Sequence, residues 1–127
     1  MQYVEIPENV KQFLTNCIES VGQLEVLFFF LASPQKEFDS SLISKELRSH
    51  PTSALNQMIH LSEHGVLKKT KDPDLFIYSP KNSDLHETIT RLYKEFHEKP
   101  VKIISFLYDK PQDKLKDFAN AFKLKKD

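Results

Sequence analysis

A chain of 127 residues with 39% hydrophobic and 28% charged side chains has the composition of an ordinary globular protein large enough to bury a core, which sets aside disordered and low-complexity scaffolds. Its formal net charge is zero and it carries one cysteine, so it lacks the strong positive excess that advertises a nucleic-acid coat, and an internal disulfide framework is excluded. The longest unbroken apolar run, residues 26–32, falls far short of a membrane span and no arginine-rich or secretory leader follows Met1; the expectation is one cytoplasmic domain, residues 1–127, with no membrane partner.

Only two glycines are present, and helix is expected to dominate. Pro7 fits a first helical position, and Val10, Phe13, Leu14, Cys17 and Ile18 follow at helical spacing, predicting an amphipathic helix over 7–19 with Cys17 a buried, inert thiol on its apolar face. Ser20-Val21-Gly22-Gln23 has the form of a capping box, in which the hydroxyl takes the N3 amide and Gln23 reaches back, and it opens a second helix over 21–32. Leu24, Leu27, Phe28 and Leu31 mark its expected buried stripe. Pro34 and the polar residues after it read as a loop. Asp39 or Ser40 caps a short helix with Leu42, Ile43 and Leu47 inward, Ser49-His50 turns, and Pro51 starts a helix in which Ala54, Met58, Leu61 and Gly65 recur on one side. Gly65 caps its C-terminus. Val66-Leu67 begins a strand, Asp72-Pro73-Asp74 supplies a turn, and Leu75 to Tyr78 returns as a second strand before Pro80. Asn82, Ser83 or Asp84 caps a longer helix carrying Leu85, Ile89, Leu92, Tyr93 and Phe96, which Pro100 either kinks or restarts. Residues 101–108 suit a strand by content and a helix by context, and helix is favoured. Pro111 opens a last helix with Leu115, Phe118, Ala119 and Phe122 on one face.

The order predicts a mainly α protein with a small β-hairpin wing, a winged helix-turn-helix (residues 36–81) with extra N-terminal (1–35) and C-terminal (82–127) helices. Met58-x-x-Leu61-x-x-x-Gly65-Val66-Leu67 resembles the end of the recognition helix and the start of the wing in bacterial winged-helix regulators, the MarR-like group among them. The wider arrangement, from residues 20–27 to the Phe118-Ala119-Asn120-Ala121-Phe122-Lys123-Leu124 segment, is similar to a small bacterial winged-helix family. That resemblance implies a compact winged-helix body and a role in transcriptional regulation.

Advancing 100° per residue from Ala54 leaves Thr52, Asn56, Ile59 and Glu63 pointing outward, where they would meet a major groove. Asn56 suits adenine, Thr52 and Ser53 suit phosphate or base edges, and His60 lies at the flank. This helix carries no Lys or Arg, so attraction to phosphate falls to Lys45 and Arg48 before it and to Lys68, Lys69 and Lys71 at the wing. Residues 1–35 hold one Lys against four acids, whereas residues 109–127 hold six Lys against four Asp; only the C-terminal end leans basic, and Lys123, Lys125 and Lys126 there read as a solvated tail. Two partners therefore stay open: double-stranded DNA, bound by a homodimer whose C-terminal helices pair, or a protein of the transcription machinery that docks on Ile59 and Glu63. His60-Leu61-Ser62-Glu63-His64 matches the spacing of inverted zinc peptidases, but Leu61 is needed in the core, Gly65 ends the helix at once and no third ligand stands out. With no nucleophile elbow and no glycine-rich phosphate loop, no catalysis, metal or cofactor is expected.

Overall fold

Side-chain caps punctuate the chain. In the computed structural model, which describes residues 6–70 and 75–109, the Ser20 hydroxyl accepts from the Gln23 amide at 3.1 Å, the Asp39 carboxylate from the Leu42 amide at 2.8 Å and the Asn82 carbonyl from the Leu85 amide at 2.8 Å. Each satisfies a donor that a helix start leaves without an intrahelical partner. They open α2 (Val21–Ala32), α3 (Ser40–Leu47) and α5 (Ser83–Glu98). α1 (Glu8–Cys17) starts one residue later than its spacing predicts, with Pro7 at the N-cap, and stops two residues sooner. The early stop has a cause in Gln23. Its buried side chain does not fold back onto Ser20 as a regular capping box would; it takes the Glu19 amide at 2.8 Å and donates to the Cys17 carbonyl at 3.1 Å, clamping the turn between α1 and α2. Cys17 is accordingly only half-buried, a correction to the fully buried thiol expected.

α4 (Pro51–Glu63) has Pro51 in its first turn and His50 as N-cap, its Nδ1 accepting from the Thr52 amide at 3.2 Å. At the other end Gly65, at φ +78, lets its own amide bond Ser62 O at 3.0 Å while the Val66 amide bonds Leu61 O at 2.9 Å. This paired closure needs a left-handed residue, which glycine adopts without a Cβ penalty. The chain then enters β2 (Leu67–Lys69), which pairs antiparallel with β3 (Phe76–Tyr78). A third strand, β1 (Glu37–Phe38), lies on the far side of β3 with Phe38 opposite Phe76, giving the order β1-β3-β2. The expected loop after Pro34 thus holds a strand. Two residues are too few to show an alternation, and the partner lies about forty residues away in sequence.

Pro100 restarts the chain as α6 (Pro100–Tyr108), which settles residues 101–108 as helix. The turn expected at Asp72-Pro73-Asp74 and the helix expected after Pro111 lie outside the described residues. α1 packs on α5 and α5 on α6, while α2 meets α3, α4 and β3. α2 is therefore the hub: Leu24, Leu27 and Phe30 are fully buried, with Val26 beside them. Phe28 and Leu31, expected in the buried stripe, are only half-buried, and Phe28 instead stacks edge-on against Tyr93 at 5.1 Å between centroids. On α3, Ile43 and Ser44 are buried and Leu42 is 41% exposed, which corrects its inward assignment. Tyr78 ties the sheet to α5 through His86 Nδ1 at 2.8 Å. Burial pushes the Tyr78 hydroxyl up to about 12, so it stays protonated and able to donate.

Candidate nucleic-acid interface

The two sides of α4 are chemically opposite. Ala54, Met58 and Leu61 are fully buried against α2, α3 and β2, whereas Thr52, Asn56, Ile59 and Glu63 are exposed on the opposite stripe, with Ile59 at 37%. Ser53 is exposed on one flank. Because the inner side is fixed by three core residues and the end is fixed by Gly65, rotation of the helix about its axis would bury Asn56 and expose Met58; the fold holds the stripe in place.

The cations lie on the elements before and after α4 in the chain. Lys45 lies exposed on α3 and Arg48 at its C-cap, where Arg48 adopts φ 55, the one left-handed backbone among the described non-glycine residues. The Arg48 amide bonds Ser44 O, as does the Ser49 amide at 2.8 Å, and this turn redirects the chain from α3 into α4. On the wing, Lys68 faces Ile77 across the ladder and Lys69 faces Phe76. Successive strand residues point to opposite faces, so the two lysines put a cation on each side of the hairpin. Lys69 Nζ lies 5.9 Å from the Phe76 ring. Lys71 lies outside the described residues. Lys81 adds a cation that its sequence position did not reveal: its amide bonds Gly65 O at 2.8 Å and its exposed side chain lies over Gly65. The contact joins positions sixteen apart, which no local pattern signals.

His60 is half-buried, with Nε2 enclosed and without a hydrogen-bond partner among the described residues. Its ring packs edge-on against His64 at 4.5 Å. Desolvation, then the neighbouring His60 and Lys81, hold His64 below its ordinary 6.5, against the opposite pull of Glu63 and Glu19. The two histidines thus contact each other, and among the described residues no group of three or more His, Cys, Asp or Glu is placed to hold a metal. Next to the cations, an open cleft of about 350 Å³ runs between β1 and α3, with Phe38, Leu42 and Leu75 among the residues that line it and Glu37, Asp39 and Lys45 as its charged groups. Among the described residues no single helix is long and apolar enough to cross a membrane.

No family model and no curated protein matches the sequence. Solved structures do. Sco5413, a MarR family transcriptional regulator from Streptomyces coelicolor, superposes with a TM-score of 0.56 at 19% identity, over 91% of this chain and 79% of that one. A Methanosarcina mazei Go1 protein described as a possible transcriptional regulator gives 0.51 at 15% identity, over 77% and 85%. The YusO protein of Bacillus subtilis gives 0.51 at 13%, over 92% and 84%. With the hairpin, the capped α4 and these superpositions together, the chain has the winged-helix fold seen in a MarR family transcriptional regulator.

Proposed function

We propose that this protein is a cytoplasmic DNA-binding transcriptional regulator, a single winged-helix unit that binds duplex DNA as a homodimer and performs no chemistry of its own. One observation carries the reading: the exposed, mainly polar stripe of α4, backed by a fully buried face, with exposed Lys45 and Arg48 on the element before it in the chain and exposed Lys68 and Lys69 on the strand after it. α4 would enter the major groove, α3 would cross the backbone and the wing would lean on phosphate. The superposition on transcriptional regulators supports it. A two-fold pairing through the C-terminal helices would set two copies of α4 about one turn of DNA apart. Fluorescence anisotropy with genomic fragments at two salt concentrations tests the reading, because phosphate contacts require log affinity to fall with log salt. Absent or salt-independent binding refutes it.

A second reading rests on Leu42 and Ile59, which are 41% and 37% exposed, and on Glu63 in the same stripe. Two exposed apolar side chains and an exposed acid suit a protein partner of the transcription machinery better than phosphate. Loss of a defined partner on Ile59→Lys, with no DNA recovered from the wild-type complex, would favour this reading; a partner set unchanged by that substitution would remove it.

A further inference from the structure

The side chains on the outward stripe of α4 define which base pairs the helix can read, and we infer that they read A·T pairs. The inference rests on the proposal that α4 enters a major groove, and goes beyond it by naming the sequence class bound.

The argument starts from what a major groove displays. Guanine offers two acceptors, read by Arg or Lys. Adenine offers an acceptor and a donor that match the Asn carboxamide, and thymine offers a methyl group that favours apolar contact. α4 has neither Arg nor Lys at any position. Its exposed stripe holds Asn56, the one carboxamide there, with Ile59 and Thr52 on either side, and both of these carry methyl groups. Gln57, the other carboxamide of the helix, is turned toward the protein, its Nε2 lying 3.4 Å from where a Cβ on Gly22 would stand. From Thr52 to Ile59 the helix rises about 10 Å, the length of roughly three base pairs at 3.4 Å each. Thr52, Asn56 and Ile59 are therefore spaced to face one short run of pairs, with Asn56 on adenine and the methyls against thymine.

Two residues could break this pattern. Glu63 would accept from cytosine N4, but it is the last residue of α4, about 16 Å along the axis from Thr52, and recognition helices read bases with their N-terminal residues. Arg48 could pair with guanine, but it sits in the turn before α4, at the end of the helix that crosses the backbone. Its place in that turn and its exposure suit phosphate.

Selection of bound duplexes from a random pool by the full-length protein, followed by anisotropy on single-position variants, tests the inference. The expected sites hold a short A·T core, and replacing the central A·T by G·C weakens binding by roughly 5- to 150-fold. Asn56→Arg is expected to change the selected base at one position from adenine to guanine. Asn56→Ala is expected to make that position indifferent, with the thermal midpoint unmoved. A G·C core that survives Asn56→Ala, or a guanine preference that vanishes with Arg48→Ala, overturns the inference and leaves DNA binding intact. Salt-dependent binding with no base preference at the core does the same. No binding at low salt removes the DNA reading and this inference together.

Discussion

α2 and α4 pack against each other, and they divide the labour of the fold. α2 is apolar almost throughout, with the sequence VGQLEVLFFFLA, and its neighbours cover most of its circumference. Its only deeply buried polar side chain, Gln23, serves the chain turn before it. α4 spends Ala54, Met58 and Leu61 on the core and leaves Thr52, Asn56, Ile59 and Glu63 outside. Substitutions in α2 should therefore report on folding alone, whereas substitutions on the outer stripe of α4 should report on recognition alone. A helix whose large side chains pack mostly into the core presents little to a macromolecule, whereas a helix with one free side can bind without unfolding.

The sharpest way to break this comparison is Phe30→Ala set beside Asn56→Ala. Phe30 is fully buried, and its truncation should cost about 3–5 kcal/mol in urea unfolding. Asn56→Ala should stay within about 0.5 kcal/mol of wild type while altering DNA selection. Equal losses from both would mean that the outer stripe of α4 is structural.

The C-terminal boundary of α4 gives the next largest effect. Gly65→Ala must hold a Cβ at φ +78, and that atom would lie 2.6 Å from Lys81 Cδ. The left-handed backbone alone costs about 1–2 kcal/mol. The Lys81 stem is flexible and can swing away, so Gly65→Ala in a Lys81→Ala background should regain only a minor part of the loss in chemical denaturation. Full recovery would show that the side-chain clash, and not the backbone, decides the residue.

Arg48 offers the reverse case, since it is not glycine yet occupies the same backbone region at φ 55. Arg48→Gly relieves that conformation and adds entropy to the unfolded chain, a balance that should leave stability between unchanged and about 1 kcal/mol higher. Under the DNA reading the same substitution removes a phosphate contact and should lower the salt slope by about 1. A variant that is more stable and binds less well would separate the two duties at one residue.

Local chemistry made much of this fold legible. The caps at Ser20, Asp39 and Asn82 lie within three residues of the amides they satisfy, and the inner and outer sides of α4 follow from a 100° rotation because its apolar residues have a clear phase. α2 has no such phase: when nearly every side chain is apolar, periodicity cannot tell Phe30 from Phe28, and only the packed neighbours do. Leu42 faces outward for a related reason: on an eight-residue helix Leu42 and Ile43 are adjacent, and one rotation of the helix chooses between them. β1 exists only through its partner β3. At the interface, the stripe and the flanking cations could be read from sequence, but the Lys81 contact with Gly65 and the enclosure of His60 depend on chain segments brought together by folding.

The smallest expected effect concerns His64, where stability should depend on pH in a definite direction. His60, Glu63, Lys81 and Glu19 surround it, and desolvation leads the causes that hold it below 6.5 when folded. Between that lowered value and 6.5 the unfolded chain binds a proton that the folded chain does not, so stability rises with pH across the window. Acidification from neutral pH should then lower the urea midpoint as pH falls below about 6.5, and the loss should level off once folded His64 is itself protonated. His64→Gln should flatten this limb and leave the carboxylate-driven loss at lower pH in place. Since His64 is only half-buried, the difference between the two midpoint curves should be small but confined to that window. Parallel curves for wild type and His64→Gln would show that neither desolvation nor the contact with His60 disfavours protonation of His64, and the His pair would then be no more than packing at the end of α4.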